Sequence, residues 1–233
     1  MSRLNTGTVA WQAIDARHHL HSFTDPKVIE TLGSRIIVRG EGSHVWDSDG
    51  RKILDGMAGL WCVNIGYGRH ELADVAHAQM TTLPYYNNHF QSATPQMIEL
   101  AEVLAGLTPD GIEQFAFANS GSEANDTVVR LTRRYWQIKG QPAKRTIISR
   151  TMAYHGSTLV GSSLGGLSHM HAMDGGVLPD FAHITHPHWY VDGGELSRED
   201  FGLKAAQALE ARILELGAEN VAAFIGRCRG PAG

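Results

Sequence analysis

The sequence predicts an α/β fold built around a mostly parallel sheet. Short apolar runs of strand length alternate with longer segments whose apolar residues recur at helical spacing. This alternation is typical of parallel sheets that are covered by helices on both faces. With 233 residues, of which 42% are hydrophobic and 19% are charged, the chain is long enough to bury a sizeable core.

The first elements follow from local signals. The dipeptide Asp49-Gly50 between apolar residues predicts a β-hairpin, and residues 70–83 have helical spacing. Thr94 is a good N-cap and Pro95 suits the first position of a helix, so another helix is expected from there. The run EQFAFA at 113–118 predicts a short strand.

The alternation continues in the second half. One helix is expected after the turn that begins at Ser120, with a stop at Gly140, and another ends at Gly217. Three short apolar runs predict buried strands: RTIISR at 145–150, AHITH at 182–186 and VAAFIG at 221–226. Ligands of such sheets lie beyond the carboxyl ends of the strands, so the turns that follow the strands are the candidate sites.

Composition limits which partners and which cellular compartment are expected. The formal net charge of -4 gives no electrostatic reason to expect a nucleic acid or an acidic membrane surface as a partner. Apolar runs long enough to span a membrane are absent, and residues 1–21 lack the apolar core of a secretory signal. Because Cys62 and Cys228 are too far apart in sequence to indicate a redox or zinc pair, a reduced, cytoplasmic compartment is expected.

Ser120, Gly121 and Ser122 follow a predicted strand and open a helix. Glycine lets a backbone approach a ligand closely, and the free N–H groups at a helix start favour a phosphate. Ser120 and Glu123 also fit a capping box, which needs no ligand. The dinucleotide-binding and P-loop signatures are both absent. This stretch alone leaves capping and phosphate binding both open.

Two further turns carry aromatic side chains. Tyr154-His155-Gly156 follows the strand at 145–150, where a ring can stack on a flat heteroaromatic cofactor; a half-buried packing role is the alternative. Trp61 lies in a glycine-rich stretch, residues 55–71, which is either a tight buried loop or a pocket wall.

Histidines occur in two closely spaced groups: His18, His19 and His21, and His183, His186 and His188. Their spacing matches no standard zinc pattern, and Pro187 restricts how a strand can aim its neighbours. The spacing therefore predicts no metal site.

Three motifs, in their order and separations, resemble class III pyridoxal-phosphate aminotransferases: DGMAGLWCVNIGYGRH at 55–70, NSGSEAND at 119–126 and YHGSTLVGSSLGG at 154–166. The likeness is to the ω-amino-acid:pyruvate type, also called β-alanine:pyruvate or amine:pyruvate transaminases, and it runs from Trp11 to Gly226. It implies a type I pyridoxal-phosphate transferase fold. Residues 1–55 would contribute to the small domain, and residues 56–233 would form the first, incomplete part of the large domain.

The resemblance also implies the site and its partners. Cofactor phosphate and ring would be held by Ser120, Gly121, Ser122, Tyr154, His155 and Gly156. Trp61 and Phe23 would line the substrate pocket. The implied cofactor is pyridoxal 5′-phosphate, the implied substrates are a small amine donor and pyruvate, and the implied assembly is a homodimer or a homotetramer.

The resemblance implies no catalytic residue within this chain. The lysine that bonds the cofactor, and the aspartate that pairs with its ring nitrogen, are expected beyond the last residue, so the chain alone is expected to be inactive. After Gly226 the family pattern would continue with glutamate-proline, whereas this chain has Arg227-Cys228-Arg229. Two alternatives stay open: an inactive remnant with at most weak cofactor binding, and another class III aminotransferase of the ornithine or γ-aminobutyrate type.

Overall fold

The computed structural model of the protein describes residues 7–173 and 175–226. The Arg227-Cys228-Arg229 end lies outside the described residues. The chain divides into two compact units, Met1–Glu102 and Val103–Gly233, and each is described by itself. The division at residue 55 into contributions to two family domains stays a prediction.

The first unit combines helices with a small antiparallel sheet in the order β1-β2-β3. Its elements are α1 (Thr8–His18), α2 (Pro26–Leu32), β1 (Ile37–Glu41), β2 (His44–Asp47), β3 (Lys52–Leu54), α3 (Ala58–Trp61), α4 (His70–Thr82) and α5 (Pro95–Leu107), the last of which reaches into the second unit.

The predicted hairpin is confirmed as the β2–β3 connection. The buried Asp47 carboxylate accepts hydrogen bonds from the N–H groups of Asp49 (3.1 Å) and Arg51 (2.9 Å), which closes the turn. Gly50 adopts a φ of 83°, a conformation that glycine takes without steric cost. The helices predicted at 70–83 and from Pro95 are confirmed as α4 and α5.

The described residues of the first unit bury no apolar side chain completely; the one fully buried residue there is Asp47. Helices α4 and α5 expose large apolar side chains, among them Leu72, Val75, Met80 and Ile98. Exposed apolar surface on this scale is unfavourable in water.

The second unit contains a parallel sheet in the order β5-β4-β6. Its elements are α6 (Gly121–Ile138), β4 (Thr146–Arg150), α7 (Leu159–Leu164), α8 (Ser168–Met173), β5 (Phe181–Ile184), α9 (Trp189–Asp192), α10 (Arg198–Leu216) and β6 (Val221–Phe224). The three predicted strands and the stops at Gly140 and Gly217 are confirmed.

The core of the second unit lies on both sides of the central strand β4. Ile147 packs with Val129 of α6 and Leu164 of α7, whereas Ile148 packs with β5 and with apolar residues of α10. Successive side chains of a strand point to opposite faces, so helices cover both faces of the sheet. The predicted layered α/β architecture is therefore confirmed.

The strand predicted at 113–118 is wrong. Residues 113–118 form no strand, and the described sheet pairs β4 with β5 and β6 alone. Apolar and aromatic composition favours extended backbone, but a strand forms only where a neighbour supplies the opposing N–H and C=O groups. None of the helices in the described part of the chain has the length and apolar character that crossing a bilayer requires.

Candidate functional site

The turn before α6 forms the predicted capping box. Ser120 has extended backbone, and its Oγ accepts a hydrogen bond from the Glu123 N–H (3.2 Å). The Glu123 carboxylate in turn accepts from the Asn119 N–H (2.9 Å). The box thereby satisfies the N–H of Glu123 in the first turn and that of Asn119, the residue before the N-cap.

The capping box does not exclude an anion at the same turn. A hydroxyl that accepts a hydrogen bond still carries a proton to donate, and the first N–H groups of a helix have no partner within the helix. A Cβ placed on Gly121 would meet no atom within 4 Å, so open space lies against the helix start. Donors, helix dipole and space together fit a phosphate group.

The Tyr154-His155-Gly156 turn lies directly on this helix start. Gly156 has a φ of +127°, and a Cβ placed on it would come within 2.6 Å of Ser122 Oγ and 3.0 Å of Ser122 Cα. The Ser157 N–H donates to Ser122 Oγ at 3.1 Å. The structure thus brings Ser122 and the turn after β4 together, and only glycine permits so close an approach.

Two further side chains of α6 hold the same turn, and sequence reasoning missed both. Asn125 Nδ2 donates to the His155 carbonyl (2.6 Å), and Asp126 accepts a hydrogen bond from the Thr158 hydroxyl (2.7 Å). The signal was their spacing, because residues three and four positions after Ser122 share its helix face. His155 is buried, whereas Tyr154 is 47% exposed.

A cluster of polar side chains, of which Ser149 is buried and His171 and His183 are half-buried, lies at the end of α7. The Ser149 hydroxyl of β4 donates to the Leu164 carbonyl, and Nε2 of both His171 (2.8 Å) and His183 (2.6 Å) approaches the Gly165 carbonyl. A carbonyl only accepts, so each Nε2 carries its proton. Burial lowers the pKa of His183. His183, one of the histidines weighed as a metal ligand, thus bonds to backbone.

The predicted substrate-lining residues Trp61 and Phe23 lie in the first unit. Trp61 ends a tight turn in which all four residues of α3 have left-handed backbone, with φ between 47° and 64°. Trp61 as a residue is 66% exposed, and Phe23, whose φ is 52°, is 68% exposed. Their contact with substrate stays a prediction.

The Asp55 carboxylate holds the left-handed turn in place. It accepts hydrogen bonds from the N–H groups of Met57 (3.1 Å) and Gly59 (2.7 Å) and from the Tyr67 hydroxyl (2.7 Å). The Tyr67 hydrogen bond is the main cause that lowers the pKa of Asp55, and the same bond raises the pKa of Tyr67. A Cβ on Gly59 would meet Val63 and the Tyr67 hydroxyl within 3 Å, so glycine is required there as well.

Comparison with known proteins places the chain in a family. Residues 27–227 match the family model described as Aminotransferase class-III. The putrescine–pyruvate aminotransferase of Pseudomonas aeruginosa is 52% identical over 95% of this chain, which spans 48% of that protein. A mitochondrial γ-aminobutyrate transaminase of Solanum lycopersicum is 40% identical over 94% of this chain, which spans 40% of that protein.

A solved structure agrees with the fold. The ω-transaminase of Pseudomonas jessenii, in complex with PMP, has a TM-score of 0.90 and 38% identity over 97% of this chain and 49% of its own. The chain thus spans about half the length of these proteins. With most of its residues matched to the family model, it belongs to the class III aminotransferases, which are pyridoxal-phosphate-dependent enzymes.

Proposed function

We propose that this chain supplies the phosphate-binding turn and one ring-facing wall of a pyridoxal-phosphate site, in an aminotransferase that moves an amino group from an ω-amine to pyruvate. The observation that carries the proposal is the contact of Gly156 and Ser157 with Ser122. It joins the start of α6 to the turn after β4, which supports a single bound molecule with its phosphate at the first turn and its ring at the second.

The phosphate would lie in the open space at Gly121. The Ser120 hydroxyl and the first N–H groups of α6 would donate to its oxygens, and the positive end of the helix dipole would favour its charge. The Glu123 carboxylate, held by Asn119, opposes that charge at close range. Capping and phosphate binding would therefore use the same turn, and the negative charge of Glu123 would weaken the binding of phosphate.

The cofactor ring would stack on Tyr154. Asn125 fixes the backbone of the buried His155, so the tyrosine next to it is held at the end of β4. When bound, pyridoxal phosphate supplies the electron sink for the transfer of the amino group. The contribution of this chain is to hold the phosphate and to orient the ring against one wall.

The proposed substrates are an ω-amino acid or amine, such as β-alanine or a diamine, and pyruvate. Support comes from the relative named for putrescine and pyruvate, which at 52% identity is nearer than the γ-aminobutyrate relative at 40%. The exposed indole of Trp61 suits the apolar stem of such an amine. Transfer by an ornithine or γ-aminobutyrate type of enzyme is the alternative within the family.

A chimera tests the whole function. Residues 1–226 are joined to the C-terminal half of the Pseudomonas aeruginosa putrescine–pyruvate aminotransferase, and alanine formed from pyruvate and putrescine is measured. We expect turnover by the chimera and none by the 233-residue chain alone. A chimera that folds and binds cofactor without turnover would support the inactive remnant, and turnover by the short chain would show that the lysine expectation is wrong.

Two variants of the chimera test the phosphate turn. Ser120→Gly keeps most of the capping stability but removes the hydroxyl donor, so we expect pyridoxamine 5′-phosphate to bind about fivefold more weakly, for a lost hydrogen bond of about 1 kcal/mol. Glu123→Gln keeps the capping box and removes the opposing charge, so binding should tighten. Pyridoxamine, which lacks the phosphate, is the control ligand and should respond to neither change.

A further inference from the structure

A second cluster of polar side chains lies at the end of α1, apart from the residues proposed to hold the cofactor. His19 Nδ1 lies 2.9 Å from one oxygen of Asp15, and His21 Nε2 lies 2.7 Å from the other. We propose that Asp15, His19 and His21 form a binding site for a divalent transition-metal ion of the zinc class. This inference goes beyond the proposed aminotransferase function.

The geometry of the donor atoms suits such an ion. One oxygen of Asp15 and one nitrogen from each histidine all lie within 4.8 Å of one another. Bonds of about 2.0–2.1 Å to a tetrahedral ion separate neighbouring ligand atoms by about 3.3 Å. The two oxygen–nitrogen distances, each to a different oxygen of Asp15, are about 0.4 and 0.6 Å shorter than this separation, and rotation of the side chains can supply the difference.

The local backbone favours convergence of the three side chains. Asp15 is in the last turn of α1, His19 follows the helix in extended backbone, and the rings of His19 and His21 already lie 4.2 Å apart. Two imidazoles and one carboxylate are a ligand set for zinc, cobalt, nickel or copper and not for calcium or magnesium, which require oxygen ligands.

Space and access are also present. A small cavity of about 40 Å³ lies beside the two histidines, which line it together with Thr24 and Glu30 but without Asp15, and it is large enough for one water molecule. The His19 side chain is 63% exposed, so an ion reaches the cluster from solvent. The expectation of no metal site rested on the spacing of histidines alone and did not include Asp15.

The test uses the tag-free 233-residue chain, treated with chelator and then titrated with ZnCl₂ in a calorimeter. We expect one ion per chain with a dissociation constant on the order of 10 µM or tighter, and at least about tenfold weaker binding for Asp15→Asn, His19→Gln and His21→Gln. His18→Gln is the matched control, since it removes the neighbouring histidine, which is outside the cluster, and should leave the titration unchanged.

A second measurement identifies the ligand atoms directly. With one equivalent of CuSO₄, the electron paramagnetic resonance spectrum of the unaltered chain should show coupling to two imidazole nitrogens, and that of His19→Gln to one. Zinc binding that His18→Gln weakens as much as His19→Gln does, or a copper spectrum without imidazole nitrogen in the unaltered chain, would overturn the proposal.

Discussion

Replacement of Gly156 by alanine is the sharpest test of the contact that joins the two turns. A Cβ at this position would lie 2.6 Å from Ser122 Oγ and 3.0 Å from its Cα, and the φ of +127° is one that side-chain-bearing residues rarely adopt. Because the obstructing atoms include backbone, the turn must move away from α6. The Ser157 N–H then loses its bond to Ser122 Oγ.

The free-energy cost of Gly156→Ala has two contributions. Holding alanine at a backbone conformation of this kind costs about 1–3 kcal/mol, and the lost hydrogen bond adds about 1 kcal/mol. The turn should therefore open more easily by about 2–4 kcal/mol, which corresponds to amide exchange that is about 30- to 1,000-fold faster. Hydrogen–deuterium exchange followed by mass spectrometry measures this in the peptide that contains Ser157.

Gly140→Ala is the matched control. Its φ is +72° but no atom lies within 4 Å of the added Cβ, so the change brings backbone strain without a collision. Strain of about 1–2 kcal/mol should then loosen the end of α6 alone and leave the Ser157 peptide unchanged. Unaltered exchange at Ser157 in Gly156→Ala would refute the contact on which the proposed cofactor site rests.

Three further predictions concern stability and assembly. Burial lowers the pKa of His183, so its contribution to stability is present above the ordinary histidine pKa and is lost as the pH falls through the lowered value. The urea midpoint of His183→Gln should therefore decline less on acidification than that of the unaltered chain. The control His18→Gln should decline as the unaltered chain does. Because the pKa of Asp55 is lowered and that of Tyr67 is raised, the α3 turn should lose stability as the pH falls below the ordinary aspartate value, or rises above the ordinary tyrosine value. Tyr67→Phe should speed amide exchange in residues 55–63, whereas Tyr85→Phe should not. Because the described part of the first unit buries no apolar side chain, the isolated chain should self-associate in sedimentation velocity, and a single monomeric boundary would contradict this.

Elements with local signals could be predicted from the sequence. The hairpin at Asp49-Gly50 and the start of α5 at Pro95 each depend on a few neighbouring residues, whose backbone preferences agree with the structure. The run at 113–118 has equally good strand composition and forms no strand, because pairing depends on residues far away in sequence. Local preference therefore decides turns and caps, but not membership of a sheet.

The parts of the site that could not be predicted depend on approach in three dimensions. The turn at Trp61 contains non-glycine residues in left-handed backbone, which sequence preference argues against, and the Asp55 carboxylate stabilises it through partners up to Tyr67. Asp15 was missed for a related reason. It lies four residues before His19, but its contact with His21 spans six residues and crosses the end of α1, where helical spacing no longer applies.

Capping and phosphate binding at the Ser120 turn are compatible because capping uses hydrogen-bond acceptors and phosphate binding uses donors. Capping uses lone pairs of the Ser120 hydroxyl and the Glu123 carboxylate as acceptors for N–H groups. Phosphate binding needs donors. These are the proton of the Ser120 hydroxyl and the N–H groups of the first turn that no capping side chain accepts from. The cap thus fixes the first turn of α6 before a ligand arrives. Because the turn is already ordered, less conformational entropy is lost when the ligand binds. A sequence pattern that satisfies the capping box is therefore no argument against an anion site, and the open space beside Gly121 leaves room for one.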